Sequence, residues 1–274
     1  MRWKMDDKKI MNRLQEQLEE VRQVYPDNDW FGIFLQGSQN YGMADDESDI
    51  DSKCWFLPSV KQLVMNEPAI SKTHIMANNE HVDCKDIREY FKILRKQNIN
   101  FMEVLFTDYF IVNPRYFDLW TDLQLHREEI ADSNIYRFLK CCKGLVFEKQ
   151  HALCHPYPSK MPLIEKYGFD AKQLSHAIRV YNFAMDFVLM CKSYKECLTP
   201  SNVKELMDIK RYHIPELDKK TAVEIMESTV AEMEAFETVE NKHRKDNLDP
   251  GIDKLLNEVL YKAVTRSLKE ELNV

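Results

Sequence analysis

The chain is poor in glycine and proline, has no excess of positive charge and lacks any long apolar run. Its 274 residues include 6 glycines and 10 prolines, so we expect no long flexible linkers. No apolar run approaches the roughly 18 residues that a membrane span needs, and the N-terminal residues lack an apolar signal region. We therefore predict a folded protein with no membrane partner.

The charge balance limits the classes of partner. The formal net charge is -7, so the generally basic surface of a nonspecific nucleic-acid binder is absent. A local basic groove stays open.

Cysteine usage indicates the redox environment. The seven cysteines form no CxxC pair, which disfavours both a disulfide framework and a zinc ribbon. We expect a reduced, cytoplasmic protein with mostly buried cysteines.

Hydrophobic periodicity predicts an α+β fold. A helix is predicted over 7–25, and strands follow near 30–35, 50–57, 72–76 and 81–85. A further helix covers 86–97. Beyond about residue 114 strand signals nearly vanish, and long helices are predicted over 171–192, 220–240 and 252–272. We expect one domain over 1–113, with a small mixed β-sheet and flanking helices, and an all-helical domain over 114–274.

The stretch that carries chemistry joins the first two strands. Gly37-Ser38 ends one strand, and Asp49-Ile50-Asp51 begins the next. Side chains two apart on a strand share a face, with Cα atoms roughly 7 Å apart, so two carboxylates would stand together. Such oxygen ligands suit Mg²⁺, which shares its shell with substrate phosphates. Gly37 would let a phosphate approach the backbone, and Ser38 would add a hydroxyl and an N–H.

A simpler interpretation is that the acidic loop is only solvated. Asp45, Asp46 and Glu47 fit that interpretation. Asp49 and Asp51 fit it less well, because they flank an apolar residue at the edge of a buried strand, where an unpaired carboxylate is costly.

Three stretches resemble one family. GSQNYG followed by SDID resembles the signature of the DNA polymerase β-like nucleotidyltransferases, in the branch associated with RNA-repair pathways. Residues 98–106 and 167–179 resemble two other segments of that branch. The sequence departs from the pattern at three positions: Gln36, Ser52 and Ile99.

The resemblance implies an activity and a metal site. It implies a nucleotidyltransferase core in 1–113 and a helical domain over 114–274 that completes the nucleotide site. The expected enzyme uses Mg²⁺, with Mn²⁺ as an alternative, to move a nucleoside monophosphate from a nucleoside triphosphate to a hydroxyl. Asp83 would join Asp49 and Asp51 as the third catalytic, metal-binding carboxylate. The alternative for Asp83 is an exposed edge-strand aspartate. Asp86 would instead cap the next helix, in a capping box with Glu89.

The resemblance also implies a nucleotide site. Its residues would be Gly37, Ser38, Tyr41, Lys172, His176 and Arg179. The last three lie at i, i+4 and i+7 on the helix after Asp170, an expected N-cap, so they form one polar stripe. Lys172 and Arg179 would neutralise phosphate charge. Lys210 and Arg211 could extend this patch. A solvated face, or a His-Arg pair bracing Glu103, is the alternative.

Two rival functions stay open. One is a non-catalytic nucleotide sensor or adaptor, which would bind nucleotide without releasing pyrophosphate. The other is a helical interaction module whose acidic loop is incidental. The acceptor (an RNA end, a protein or a small molecule), the preferred triphosphate and the oligomeric state are not readable from the sequence.

Overall fold

The computed structural model of the chain describes residues 7–44 and 48–273. Asp45, Asp46 and Glu47, expected in a solvated loop, lie outside the described residues. The strands are β1 Trp30–Gln36, β2 Asp51–Phe56, β3 Ser71–Ile75, β4 His81–Asp86 and β5 Phe110–Val112. The mixed sheet and the many helices give an α+β class.

The helices fall before, between and after these strands. They are α1 Asp7–Val24, α2 Val60–Val64, α3 Ile87–Arg95, α4 Ile99–Met102, α5 Phe117–Leu125, α6 Arg127–Asp132, α7 Ile135–Leu153, α8 Met161–Tyr167, α9 Ala171–Val188, α10 Tyr194–Leu198, α11 Val203–Lys210, α12 Lys219–Asn241 and α13 Pro250–Glu271. Short 3-10 turns cover Glu103–Phe106, Pro114–Tyr116 and Pro158–Lys160. The four predicted strands and the predicted helices are confirmed to within a few residues, whereas β5 was not predicted. No helix within the described parts of the chain has the length and apolarity to cross a membrane.

The chain divides into two compact units. The first comprises Met1–Ser133 and Leu248–Val274, and the second comprises Asn134–Asn247. This division differs from the expected boundary near residue 114, because α5, α6 and α13 belong to the unit that holds the sheet. Two ion pairs fasten α13 there: Arg95 Nε lies 2.7 Å from Asp253 Oδ1, and Arg266 Nη1 lies 2.7 Å from Asp118 Oδ1.

The sheet of the first unit has the order β3-β4-β2-β1-β5. β1 pairs antiparallel with β2 and β5, and β3 pairs antiparallel with β4. β2 and β4 are parallel, with Lys53 opposite Asp83. Since side chains alternate along a strand, this register decides which polar residues of β2 and β4 share a face.

The two faces of the sheet bury different residues. One face packs on α1, with Ile33, Leu35, Cys54, Phe56, Val82 and Cys84 against Ile10, Leu14, Leu18 and Val21. On the other face the Trp55 ring lies 4.5 Å from the ring of Phe34 and 4.2 Å from that of Tyr90. Aromatic pairs at these centroid distances add stability beyond their buried area. By alternation along β2 the same face carries Asp51 and Lys53, whereas Ser52 faces α1.

A buried polar network joins α1 to the beginning of β2. Gln17 Nε2 donates to the Ile50 carbonyl (2.6 Å) and to Glu80 (2.8 Å), and Ser52 Oγ donates to Gln17 Oε1 (2.6 Å). Arg13 Nη2 lies 2.7 Å from Glu80 Oε2. Ser52, where the family pattern has an apolar residue, is therefore fully buried without an unsatisfied hydroxyl.

Glu80 makes this network sensitive to pH. Burial raises the pKa of Glu80, but hydrogen bonds from Arg13, Gln17 and Asn78 outweigh burial and leave the pKa below its usual 4.5. The folded state thus binds the Glu80 proton less tightly than the unfolded chain. The stabilisation is fully present above the unfolded pKa and is lost as pH falls through the folded pKa.

We predict that Glu80→Gln lowers the free energy of unfolding by about 1–3 kcal/mol at pH 7, the usual worth of hydrogen bonds to a charged group. The difference from wild type should shrink as pH falls below the unfolded pKa. All four tryptophans precede residue 134, so urea unfolding followed by tryptophan fluorescence reports on the first unit. Glu67→Gln, which removes an exposed partner of Lys61, is the control and should change stability by less than about 1 kcal/mol. A Glu80→Gln deficit that stays constant with pH would contradict the assignment.

Candidate functional site

A tight turn follows β1 at the position of the glycine-serine motif. Gly37 has φ 86°, a left-handed conformation that glycine adopts without steric cost. Its carbonyl accepts from the Asn40 N–H (2.9 Å), and the Ser38 carbonyl accepts from the Met43 N–H (3.0 Å). Residues 38–42 form turns rather than a helix, so Ser38 has no helix N-terminus to support an anion.

The turn is held by residues distant in sequence. The Gly37 N–H donates to Glu103 Oε1 (2.7 Å), and Glu103 is only 5% exposed. Asn40 Nδ2 donates to the Leu35 carbonyl (2.9 Å) and accepts at Oδ1 from Thr107 Oγ1 (2.7 Å). Tyr41 is 5% exposed, so its ring offers little surface to a nucleotide. The predicted nucleotide contact is thus less favoured for Tyr41 than for Gly37.

The acidic pair flanks a residue of the α1 core. Ile50 is buried in the core against α1, and Asp51 begins β2 opposite Gln36. Asp49 is exposed and precedes the strand, whereas the sequence analysis expected both aspartates at strand positions. Asp51 Oδ1 accepts from the His81 N–H (2.8 Å), and its side chain is 34% exposed. Asp51 therefore remains open to solvent on the face opposite α1.

Asp83 lies on the same sheet face as Asp51. It is opposite Lys53 in the parallel β2–β4 register, and Lys53 shares the face of Asp51 by alternation. Both carboxylate oxygens of Asp83 contact ammonium groups: Oδ2 lies 3.3 Å from Lys53 Nζ, and Oδ1 lies 3.2 Å from Lys85 Nζ. Asp83 is thus an interior-strand residue, not the exposed edge-strand aspartate of the alternative.

Lys53 is a buried cation in the middle of this face. It is 4% exposed, and its Nζ lies 4.0 Å from the ring centroid of Phe101. Burial lowers the pKa of Lys53, and the negative charges of Asp83 and Glu103 oppose that shift without cancelling it. Lys53, Asp83, Lys85 and Glu103 therefore interact with one another in the first unit, and Asp51 lies on the same sheet face. Together with Asp49, which precedes β2, we call these residues the β2–β4 cluster: Asp49, Asp51, Lys53, Asp83, Lys85 and Glu103.

The cluster fits a metal held by two carboxylates better than one held by three. Within residues 7–44 and 48–273, no group of three His, Cys, Asp or Glu side chains is arranged to hold a metal ion. Asp83 does not complete such a trio because its oxygens contact two lysines. Mg²⁺ in nucleotide enzymes is commonly held by one or two carboxylates plus substrate phosphates. Asp51 on β2, with Asp49 two residues before it, is the candidate for this smaller ligand set.

Positive charge collects in the second unit near His176 of α9. Asp170 caps α9, accepting from the Lys172 N–H (3.0 Å), as predicted. Burial lowers the pKa of His176 well below its usual range, and four cations lower it further: Arg179 and Lys172 on α9, Lys149 on α7 and Lys210 on α11. The predicted stripe of Lys172, His176 and Arg179 therefore acts together with two cations from other helices. Such a group favours the binding of an anion.

Several members of the first site were not predicted from the sequence. Lys53 stands two residues after Asp51, so strand alternation could have placed it on the same face. Lys85 bears the same relation to Asp83. Phe101, whose ring lies under Lys53, lies in a segment quoted for its family resemblance, but its position opposite β2 depends on tertiary structure.

Comparison with known proteins adds no assignment. A scan against protein-family models and a search of the curated proteins both found no match for this chain.

We predict that Gly37→Ala destabilises the protein by about 1–2 kcal/mol, the cost of a left-handed conformation for a residue with a Cβ. No atom lies within 4 Å of the added Cβ, so conformation alone causes the loss. The matched control is Gly144→Ala within α7, where the added Cβ also meets no atom within 4 Å and the exchange should be neutral or stabilising. Thermal unfolding followed by circular dichroism compares them. Equal melting temperatures for Gly37→Ala and wild type would refute the strain argument.

We predict that tripolyphosphate raises the pKa of His176. An anion among the four cations offsets the repulsion that now disfavours the imidazolium, so protonation becomes easier. NMR titration of the histidine rings, with His176→Gln for assignment, measures the shift. His74, which contacts Glu20 in the first unit, is the internal control and should not respond. If tripolyphosphate leaves the His176 titration unchanged, this group of cations is not an anion site.

Proposed function

We propose that the protein is a nucleotidyltransferase that moves a nucleoside monophosphate from a nucleoside triphosphate to a hydroxyl acceptor. The acceptor oxygen forms a bond to the α-phosphorus, the bond between that phosphorus and the bridging oxygen breaks, and pyrophosphate leaves. The hydroxyl proton passes to solvent. The acceptor is an RNA end, a protein or a small molecule.

One observation carries the proposal. Asp51 begins β2 directly after Asp49 and Ile50, and β1, which pairs with β2, runs directly into the Gly37–Ser38 turn. A glycine turn that would receive phosphate, beside carboxylates that would hold a metal, is the combination that nucleotidyl transfer needs. The resemblance of residues 37–51 to the DNA polymerase β-like signature supports the same activity.

The residues of the first unit would divide the work. Asp49 and Asp51 would hold Mg²⁺ or Mn²⁺, which when bound would neutralise phosphate charge and polarise the α-phosphorus. The Gly37 turn would receive phosphate oxygens, because a glycine lets them approach the backbone. Glu103 would keep the turn in place through its hydrogen bond with Gly37. Asp83 would hold Lys53 and Lys85 in place, and these two lysines would set the local charge where the acceptor binds.

The second unit by itself would bind an anionic phosphate. Within that unit the four cations near His176 would offset the charge of a phosphate anion, since Lys and Arg are the usual partners of phosphate oxygens. Arg179 is only 5% exposed, so it would act mainly through its charge, whereas the exposed Lys172 could contact the anion directly.

A non-catalytic nucleotide sensor is the second candidate. The observation in its favour is that both oxygens of Asp83 contact lysines, which leaves fewer carboxylate oxygens for catalytic metal. A sensor would bind the triphosphate and metal but would release no pyrophosphate.

We predict that Asp49→Asn together with Asp51→Asn lowers transfer at least about 100-fold, because neutral amides hold the divalent cation poorly. The assay incubates each triphosphate, labelled at the α- or γ-phosphate, with Mg²⁺ and total RNA or cell lysate. Nucleotidyl transfer labels the acceptor only from the α-position, whereas kinase chemistry labels it from the γ-position. Asp27→Asn, on an exposed turn, is the control and should keep full activity.

Three results would count against the proposal. Label from the γ-position would indicate a phosphotransferase. Nucleotide binding without pyrophosphate release would favour the sensor. Undiminished α-transfer by the double variant, with an unchanged circular dichroism spectrum, would exclude Asp49 and Asp51 as the metal site.

A further inference from the structure

The Lys53 ammonium lies where a metal ion would otherwise contact Asp83 Oδ2. Its Nζ lies 3.3 Å from Asp83 Oδ2 and 4.0 Å from the Phe101 ring centroid. Glu103 acts on the same ammonium through its negative charge. The Lys53 side chain is 5% exposed, so its position is fixed by packing and it cannot swing into solvent. The Lys53 side chain is therefore held beside Asp83, on the face that carries Asp51.

Lys85 contacts the other carboxylate oxygen of Asp83. Its Nζ lies 3.2 Å from Asp83 Oδ1 and 5.5 Å from the Phe101 ring centroid. A divalent cation on Asp83 would have to displace one ammonium and would then stand beside the other. Because like charges repel strongly at such short range in a poorly hydrated site, the two lysines and a metal compete for Asp83.

Asp51 differs from Asp83 in its contacts. Asp83 contacts two ammonium groups, whereas Asp51 Oδ1 accepts from the His81 N–H (2.8 Å), and no lysine contact to Asp51 is found among the described residues. A divalent cation at Asp51 would therefore displace no ammonium.

We infer that Lys53 replaces a second divalent cation at Asp83, so that this protein binds nucleotide with a single metal ion at Asp49 and Asp51. The inference rests on the proposed function and makes Lys53 a positioning residue, which acts through Asp83. The Lys53 ammonium contacts Asp83 Oδ2, where a second cation would otherwise bind. The metal requirement would thus be for one ion per nucleotide.

The experiment counts Mn²⁺ bound per chain with an α,β-methylene triphosphate analogue, which cannot be cleaved at the bond that nucleotidyl transfer breaks. Equilibrium dialysis or isothermal titration calorimetry gives the stoichiometry, and electron paramagnetic resonance of Mn²⁺ shows whether two ions are coupled. We expect one uncoupled Mn²⁺ in the wild type. Lys53→Met, which keeps the length and apolar stem of the side chain, should bind a second Mn²⁺ because Asp83 Oδ2 is released.

Two variants serve as controls. Lys53→Arg keeps the cation and should bind one Mn²⁺. Lys85→Met removes the more exposed of the two ammonium groups (the side chain of Lys85 is 14% exposed and that of Lys53 is 5%) and leaves the buried Lys53 on Asp83, so it should also bind one. Tryptophan fluorescence checks that the first unit is folded in each. The number of Mn²⁺ ions that the wild type binds tests the inference even if Lys53→Met does not fold.

The outcomes separate this inference from the function on which it rests. Two coupled Mn²⁺ ions in the wild type would overturn the inference and leave nucleotidyl transfer standing. One Mn²⁺ in folded Lys53→Met would also overturn the inference. Binding of no nucleotide-dependent Mn²⁺ by the wild type would overturn the proposed function, and the inference with it.

Discussion

The hydrogen bond from the Gly37 N–H to the buried carboxylate of Glu103 (2.7 Å) connects the two halves of the candidate site. On one side it fixes a left-handed turn at the end of β1, where a phosphate could approach the backbone. On the other side the same carboxylate acts on Lys53, which in turn contacts Asp83. A buried carboxylate is costly unless it is paired. The Gly37 N–H and the Lys53 ammonium are partners of the Glu103 carboxylate. The conformation of the turn and the charges around Asp83 therefore both depend on the Glu103 side chain.

Sequence patterns predicted the elements of the first unit well because their periodicity is local. Strands β1 to β4, helix α3 and the N-cap Asp86 follow from alternation and capping rules. Even here one detail was wrong: the backbone N–H and the guanidinium of Arg88, not a capping box with Glu89, complete the Asp86 contacts. The three residues of β5 form a strand only because β1 offers them an edge, so no local signal announced it.

The sequence predicted which residues belong to the site but not which side chains contact each other. The alternation of Val82, Asp83 and Cys84 indicated that Asp83 faces away from the α1 core, and the structure agrees. What the sequence could not give is the parallel register that sets Asp83 opposite Lys53 rather than opposite Asp51. A shift of register changes the cross-strand partner of every residue. The difference between a three-carboxylate metal site and a lysine-neutralised one therefore lies in tertiary structure.

Net charge is a poor guide to what either unit binds. The chain is acidic overall, yet the second unit gathers four cations around His176, and the first unit keeps two lysines within an acidic cluster. In both cases the groups that matter are close together and partly shielded from water, where electrostatic interactions act most strongly. The lysines also change the meaning of Asp83. A third carboxylate beside two metal-binding carboxylates usually indicates catalysis. A carboxylate whose charge is balanced by lysines, as that of Asp83 is, indicates only a fixed arrangement of charges. Whether that arrangement serves transfer or sensing depends on how many metal ions the remaining carboxylates bind.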